Sequence, residues 1–420
     1  MQMTDKGIAG RSERPAASMT WRAADLDDAL TAVAVGIAEE PSRPELGGVL
    51  FSVPEGAQFC TAQTTDDVTA ASASIDLIEG WGELLIDWGR LRAALARAEQ
   101  QPGFDWDSAN VTITAAERFG ASVKIDGDAR RRKVRGWDLD SDTVRRFEGT
   151  PPPIATLACG DLAHLVKAVV PAASSDDTLP MFTAVCFTVG DETLSAVALD
   201  RYRLGAGKVD AYTVDIARAV DGLLVPGALL RKLAPVLGDG EVAIGCSPRA
   251  DASSGAGRYV RGVSFSFGRV TVWTDTIDHR FPASWPRLVP TGDGVAVTVP
   301  DAAVLAAAVT RAADAAAEAG DSLRRVALRV EGGVFTVGGF VAGQREMVGA
   351  ESAAATIEDP PWAAVQTVFD PGYLADALAP FSGGVTVHLR PAGQGTAFLA
   401  PGEKLRADAP LLQIVTPYQV

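Results

Sequence analysis

Three histidines, four cysteines and an excess of acids are the groups with which this chain could do chemistry. His164, His279 and His388 fall in three separate stretches, and none has the spacing that turns two ligands toward one zinc ion. Cys60, Cys159, Cys186 and Cys246 contain no Cys-x-x-Cys pair, so they read as small buried residues of a reducing compartment. Gly205–Lys208 (GAGK) has the lysine of a phosphate loop without its full spacing or its strand-to-helix turn. No Gly-x-Ser-x-Gly elbow supplies a nucleophile. The acids read as helix caps and solvated faces. No catalytic group, metal or cofactor is therefore expected, and the chain is read as a non-enzyme. The densest basic run, Arg130–Arg135 (RRRKVR), reads as a solvated loop or linker, with a phosphate contact as the alternative.

Composition narrows the partners. The 420 residues are 47% hydrophobic and 22% charged, enough for sizeable cores, and the formal net charge is −15 at pH 7. On net charge alone, nucleic acid is not the first partner to expect. The acidic excess is uneven, and the middle third is close to neutral. No apolar run has the length of a membrane span and no signal peptide opens the chain, so a cytoplasmic location without membrane contact is expected.

A repeat dictates how these residues must be positioned. Leu223–Leu237 (LLVPGALLRKLAPVL) is an apolar run, a Pro226-Gly227 turn and a helix whose Leu229, Leu230, Leu233, Val236 and Leu237 share one face. The pattern recurs at 84–98 (LLIDWGRLRAALARA) and at 367–381 (TVFDPGYLADALAPF), marked by Gly89, Gly227 and Gly372. A second marker moves with it. Asp25, Asp161 and Asp301 each open a candidate helix, as residues that accept the free N–H groups of a first turn do. Two markers at near-constant separation in three units predict a threefold repeat.

Taken in order, residues 1–19 form a polar, disordered arm, and 20–150, 151–290 and 291–420 form one repeat each. Each repeat is expected to contain a helix, a hairpin of alternating strands, a second helix and further strands. The hairpins are GGVLFSV with FCTAQTTD, AVCFTV with LSAVALD, and RRVALRV with GVFTVGGF. TPPPIA at 150–155 reads as a linker, and the loop at 248–259 as a surface excursion. Helices on one face of antiparallel sheet make an α+β fold. Three such units in a row leave sheet edges open at both ends, which a head-to-tail pairing into a ring would cover.

Three stretches carry a resemblance. LSAVALDRYRLG at 194–205 resembles the ATDGHRLA signature of the bacterial DNA polymerase III beta subunit, the DNA sliding clamp family. RFPASWPRLVP at 280–290 resembles that family's FPDYRRVLP segment with one extra residue, and the terminal IVTPYQV its closing strand. The departures, among them Leu199, Arg201, Tyr202 and Thr416, fit a phage-encoded or paralogous member.

The resemblance implies a homodimeric ring of six clamp domains around double-stranded DNA, tethering a polymerase and meeting a clamp loader through short linear motifs. It implies a partner-peptide pocket at Phe182, Leu199, Asp200, Arg201, Tyr202, Arg203, Leu204, Pro282, Leu288, Ile414, Thr416 and Pro417. DNA-facing cations on the inner helices would be Arg90, Arg92, Arg97, Lys167, Arg231, Lys232 and Arg311. Candidate dimer contacts are Val123 and Ile125 in one chain against the helix around Asp314 and Ala315 in the other. The acidic helix at Asp25 and the cation-free helix at Gly372 keep an alternative open: a clamp-fold structural or interaction protein that does not encircle DNA.

Overall fold

The structure, a computed structural model, describes residues 15–418 apart from 103, 117–119, 129, 138–149, 191, 214–221, 249–259, 292–293, 359–363 and 391–394. The expected N-terminal arm and the loop after Pro248 therefore lie largely outside the described residues. Two compact units form, one of Met1–Thr150 with Gly268–Thr274 and one of Pro151–Phe267 with Asp275–Val420.

In the first unit, helices α1 (Ala23–Val33) and α2 (Trp88–Glu99) pack on antiparallel strands. Leu26, Leu30 and Val33 give α1 a buried stripe at helical spacing, and Leu91, Ala94, Leu95 and Ala98 do so for α2. Each buried leucine contributes about 1.5–3 kcal/mol. The Trp88 Nε1–H donates to the Leu30 carbonyl at 3.1 Å and ties the helices together. Trp21 meets Phe51 at 5.0 Å between ring centres in the core below. Leu50 pairs with Gln63 and Phe51 with Leu84, which fixes the expected hairpin and its neighbour in register.

The second unit holds a nine-stranded sheet. Its order is Leu223–Pro226, Ala184–Val189, Thr193–Leu199, Arg203–Asp210, Leu411–Val415, Thr396–Leu399, Val385–Leu389, Val295–Val299 and Thr356–Glu358. The last strand of the chain thus lies beside Arg203–Asp210, with Leu204 opposite Ile414. Its pleat sends Leu412 and Ile414 into one core cluster and Val415 into another. Helix α3 (Cys159–Val169) crosses this sheet. Gly205 and Gly207 let it approach: a Cβ on Gly207 would lie 2.9 Å from Leu165 Cδ1, and one on Gly205 3.2 Å from the Ala168 carbonyl oxygen. The GAGK stretch is therefore strand, with glycines set by packing. Helix α4 (Gly227–Leu233) follows the edge strand. Helices α5 (Ala302–Glu318) and α6 (Pro371–Leu378) pack with a four-stranded sheet ordered Val348–Ser352, Val334–Gly339, Val326–Glu331 and Val365–Phe369.

Several expectations need correction. Asp301 does cap α5, accepting the Ala303 N–H at 2.8 Å, but Asp25 and Asp161 sit inside the first turns of helices whose cap positions are Arg22 and Ala158. Both those helices start directly from a strand, so each acid acts on the helix dipole instead of on a cap N–H. The caps that sequence reading missed are Asp87 on α2 and Asp370 on α6. The helix expected to reach Leu237 tightens after Leu233 into a 3-10 turn at Ala234–Val236, where Pro235 cannot donate an α-helical bond. The TPPPIA linker runs straight into the strand Pro153–Ala158. The basic run is strand from Arg132 to Trp137, with Arg132 bound to Asp128 at 2.6 Å and Arg135 above the Trp137 ring. Val123 and Ile125 are buried in their own unit, so their side chains are not exposed dimer contacts.

Candidate functional site

A tight turn joins the strands Thr193–Leu199 and Arg203–Asp210. Asp200 builds it. Its Oδ1 accepts the Tyr202 N–H at 2.6 Å and the Arg203 N–H at 2.7 Å, the self-closing geometry that aspartate favours in turns. The turn leaves Tyr202 about half exposed, and the Thr416 N–H donates to its carbonyl at 2.7 Å. The chain end therefore holds the turn from below.

Arg203 carries this turn to α6. Its Nε donates to Asp200 Oδ2 at 3.1 Å and its Nη1 to Asp376 Oδ2 at 2.7 Å. Its guanidinium lies 4.3 Å from the centre of the Tyr373 ring, and Tyr202 stacks on Tyr373 at 6.1 Å. Helix α6 is oriented for this by Asp370, which accepts the N–H groups of Gly372 and Tyr373. The Tyr418 hydroxyl also donates to Asp370, at 3.4 Å. Burial raises the Asp376 carboxyl above the ordinary aspartate range, although Arg203 pulls the other way. Burial likewise raises the Tyr373 phenol.

These residues open on a cleft of about 780 Å³. Its apolar wall includes Val166, Val170, Leu179 and Phe182, and its cations include Lys167 and Arg231. Arg231 Nη2 donates to the carbonyls of Val170 and Ala173, at 3.2 and 3.1 Å, which fixes the end of α3 against α4. Gly227 opens α4 close to this corner, where a Cβ would lie 2.9 Å from the Thr183 carbonyl oxygen and 3.1 Å from Ala173 Cβ.

Of the pocket residues expected from sequence, Phe182, Asp200, Arg201, Tyr202 and Arg203 line this cleft. Leu199, Leu204 and Ile414 lie beneath it in the core, each at most 6% exposed. Pro282 lines a different cavity of about 830 Å³, over the strands Ala184–Val189 and Thr193–Leu199. Leu288 is exposed, Thr416 is exposed and contributes its backbone, and Pro417 is buried. Sequence reading missed Tyr373 and Asp376. The Asp-Pro-Gly-Tyr start of α6 was visible, but nothing local shows which surface that helix faces.

The cations assigned to inner helices are distributed differently from one another. Lys167 and Arg231 line the cleft. Arg92 pairs with Asp27, Arg90 lies 3.7 Å from Asp87, and Arg311 binds Glu351 at 2.6 Å. Arg97 is exposed in the last turn of α2, and Lys232 is part-buried in the last turn of α4.

Residues 156–283, which contain the Asp200 turn, α3 and α4, match the family model for the DNA polymerase III beta subunit, central domain. This stretch is similar to the central domain of that family, and it is the part of the chain that the match covers. The beta sliding clamp of Micrococcus luteus is 28% identical over 219 residues, 51% of this chain and 64% of that protein. The clamp of Streptomyces coelicolor is 26% identical over 251 residues, 59% of this chain and 60% of the relative. These alignments thus span less than two thirds of the curated clamps. The fold extends further. It matches the sliding clamp of Pseudomonas aeruginosa, solved with griselimycin bound, at a TM-score of 0.77 and 19% identity, covering 96% of this chain and all of that one. The Bacillus subtilis clamp matches at 0.76 and 17% identity, over 96% of this chain and 99% of its own. Among the described residues, no helix is long and apolar enough to cross a membrane.

Proposed function

We propose that this chain is a DNA sliding clamp, a non-catalytic processivity factor that encircles duplex DNA and tethers a polymerase in the cytoplasm. The observation that carries the reading is the match of 96% of the chain to complete bacterial clamps. On this reading 20–150, 151–290 and 291–420 are three clamp domains. Two chains pair head to tail, and the ring presents two copies of the cleft at Tyr202 and Tyr373. The cleft takes a short linear peptide from polymerase or loader: its apolar wall supplies burial and its fixed polar turn supplies orientation. The cations Arg90, Arg97 and Lys232 supply weak, sequence-independent phosphate contacts that let the ring slide.

A second reading rests on a specific observation. Arg92 and Arg311 are held in ion pairs with acids of this chain, and Asp25, Asp27 and Asp28 lie on or beside the first turn of α1. A clamp-fold protein that binds partners without encircling DNA would tolerate both features. Light scattering on the purified chain tests the ring. A mass of two chains, alone or on circular DNA, is expected; a monomer under both conditions contradicts it.

A further inference from the structure

Away from the cleft at Tyr202, Pro282 lines a cavity of about 830 Å³ that a clamp has no need of. Strand register explains its floor. Thr188, Ser195 and Lys208 stand opposite one another on three neighbouring strands and make a polar row. One pleat closer to the Asp200 turn, Leu224, Cys186, Val197 and Ala206 make an apolar row on the same face. The segment after Asp275 covers this floor. The Ile277 N–H donates to the Leu224 carbonyl at 2.9 Å, and Ile277, Phe281 and Trp285 pack, part-buried, against the core that the apolar row belongs to. The Trp285 N–H closes a turn on the Pro282 carbonyl at 3.1 Å, so the cover is fixed before any ligand arrives. Lys208 gives the polar end its charge. It is part-buried and has no ion pair among the described residues. Of the two acids in the lining, Asp408 pairs with Arg406 at 3.1 Å and Asp278 is exposed. Lys208 lies five positions from Arg203 on one strand, about 16 Å away, so its charge does not belong to the first cleft.

We propose that this cavity binds a small amphipathic anion. Its apolar body lies over Val197 and Ala206, covered by Phe281 and Trp285, and its anionic headgroup meets Lys208 and the Ser195 hydroxyl. The volume is that of a small-ligand pocket. The layout sets apolar burial at one end and a charge-assisted hydrogen bond at the other. A peptide strand fits less well. Thr193–Leu199 and Arg203–Asp210 are each paired on both sides, so the floor offers no free backbone edge for a strand to join. The site stands independently of the clamp reading, whose ring and peptide cleft use other residues.

The test is a fluorescence titration of the full chain with anilinonaphthalene sulfonate, an aromatic anion, followed by competition with decanoate and with decanol. A single saturable site per chain is expected. Decanoate should displace the dye at about tenfold lower concentration than decanol, the scale of one charge-assisted hydrogen bond. Lys208→Gln should remove that preference, and Ser195→Phe, which fills the cavity from its floor, should abolish dye binding. Circular dichroism checks the fold of each variant, and Lys208→Gln carries the test alone if Ser195→Phe does not fold. Equal competition by the acid and the alcohol overturns the proposal, as does a preference that survives Lys208→Gln. Dye binding that is lost in Tyr202→Ser, which alters the other cleft, overturns the site. A Gly-Ser decapeptide carrying Phe beside Asp that displaces the dye better than decanoate assigns the cavity to a protein partner and overturns the small-ligand reading.

Discussion

Arg203 and Asp376 meet at 2.7 Å although 173 positions separate them in the chain. Because Arg203 also holds Asp200 and covers Tyr373, a single guanidinium sets the position of α6 against the turn that carries Tyr202. Its side chain is only 16% exposed, whereas that of Asp376 is 47% exposed. Replacing Arg203 by Met should therefore lower stability by about 2 kcal/mol, mostly by taking the cation from Asp200, which keeps only its two backbone N–H donors. Replacing Asp376 by Asn should cost under about 1 kcal/mol. Urea unfolding of the two variants checks the asymmetry.

Gly227 and Gly89, both markers of the sequence repeat, stand first in α4 and second in α2, and their environments differ. A Cβ at Gly227 would lie 2.9 Å from a backbone oxygen, while at Gly89 the nearest atom is Asp87 Oδ1 at 3.5 Å. Gly227→Ala should cost about 1–3 kcal/mol, and Gly89→Ala, in an exposed first turn, should be neutral or stabilising by up to about 1 kcal/mol. Thermal melts of both variants decide whether the repeated glycine reflects one steric need.

Asp321 and Arg325 give a pH signature. The carboxylate accepts the Arg325 N–H and its guanidinium, both at 2.7 Å, and these bonds hold its pKa below the ordinary aspartate value. A depressed folded-state pKa contributes stability that is present above the unfolded value and is lost as pH falls through the folded one. The wild type should therefore lose more stability than Asp321→Asn as pH falls from just above the ordinary aspartate range to below it. At neutral pH the variant should be the less stable by about 2 kcal/mol. Equal acid sensitivity of the two proteins would remove Asp321 from the account.

The C-terminal tail links the turn to α6. The Thr416 N–H holds the Tyr202 carbonyl, the Tyr418 N–H holds the Val368 carbonyl, and the Tyr418 hydroxyl reaches Asp370. Deleting Thr416 to Val420 should weaken binding of any peptide held by the intact cleft at least about tenfold, since a few residues carry most of such binding. The dimer should survive. Polarisation and light scattering on the same preparation separate the two effects.

Much of this fold was legible because it is written locally. The stripe of Leu229, Leu230 and Leu233 and the alternation in AVCFTV specify a helix and a strand with no outside help. The turn that Asp200 builds after Thr193–Leu199 was not legible, since its residues stand out only by their resemblance. Charge obscured the strand Arg132–Trp137, although buried Val134 and Gly136 alternate there with exposed Lys133 and Arg135. Leu199, Leu204 and Ile414 read as pocket wall, but the pleat of paired strands turns them into the core. Tyr373 and Asp376 could not be placed from sequence. Their role depends on where the last strand sets α6, a long-range pairing that no local pattern encodes.

Encirclement is tested most directly by retention on DNA topology. The purified chain, loaded on nicked circular DNA at moderate salt, should elute with the circle and be released once a restriction enzyme linearises it. Contacts as weak and salt-sensitive as those of a chain with net charge −15 cannot hold it on an open end. Equal release from circles and linear molecules, or equal retention on both, would contradict the clamp reading.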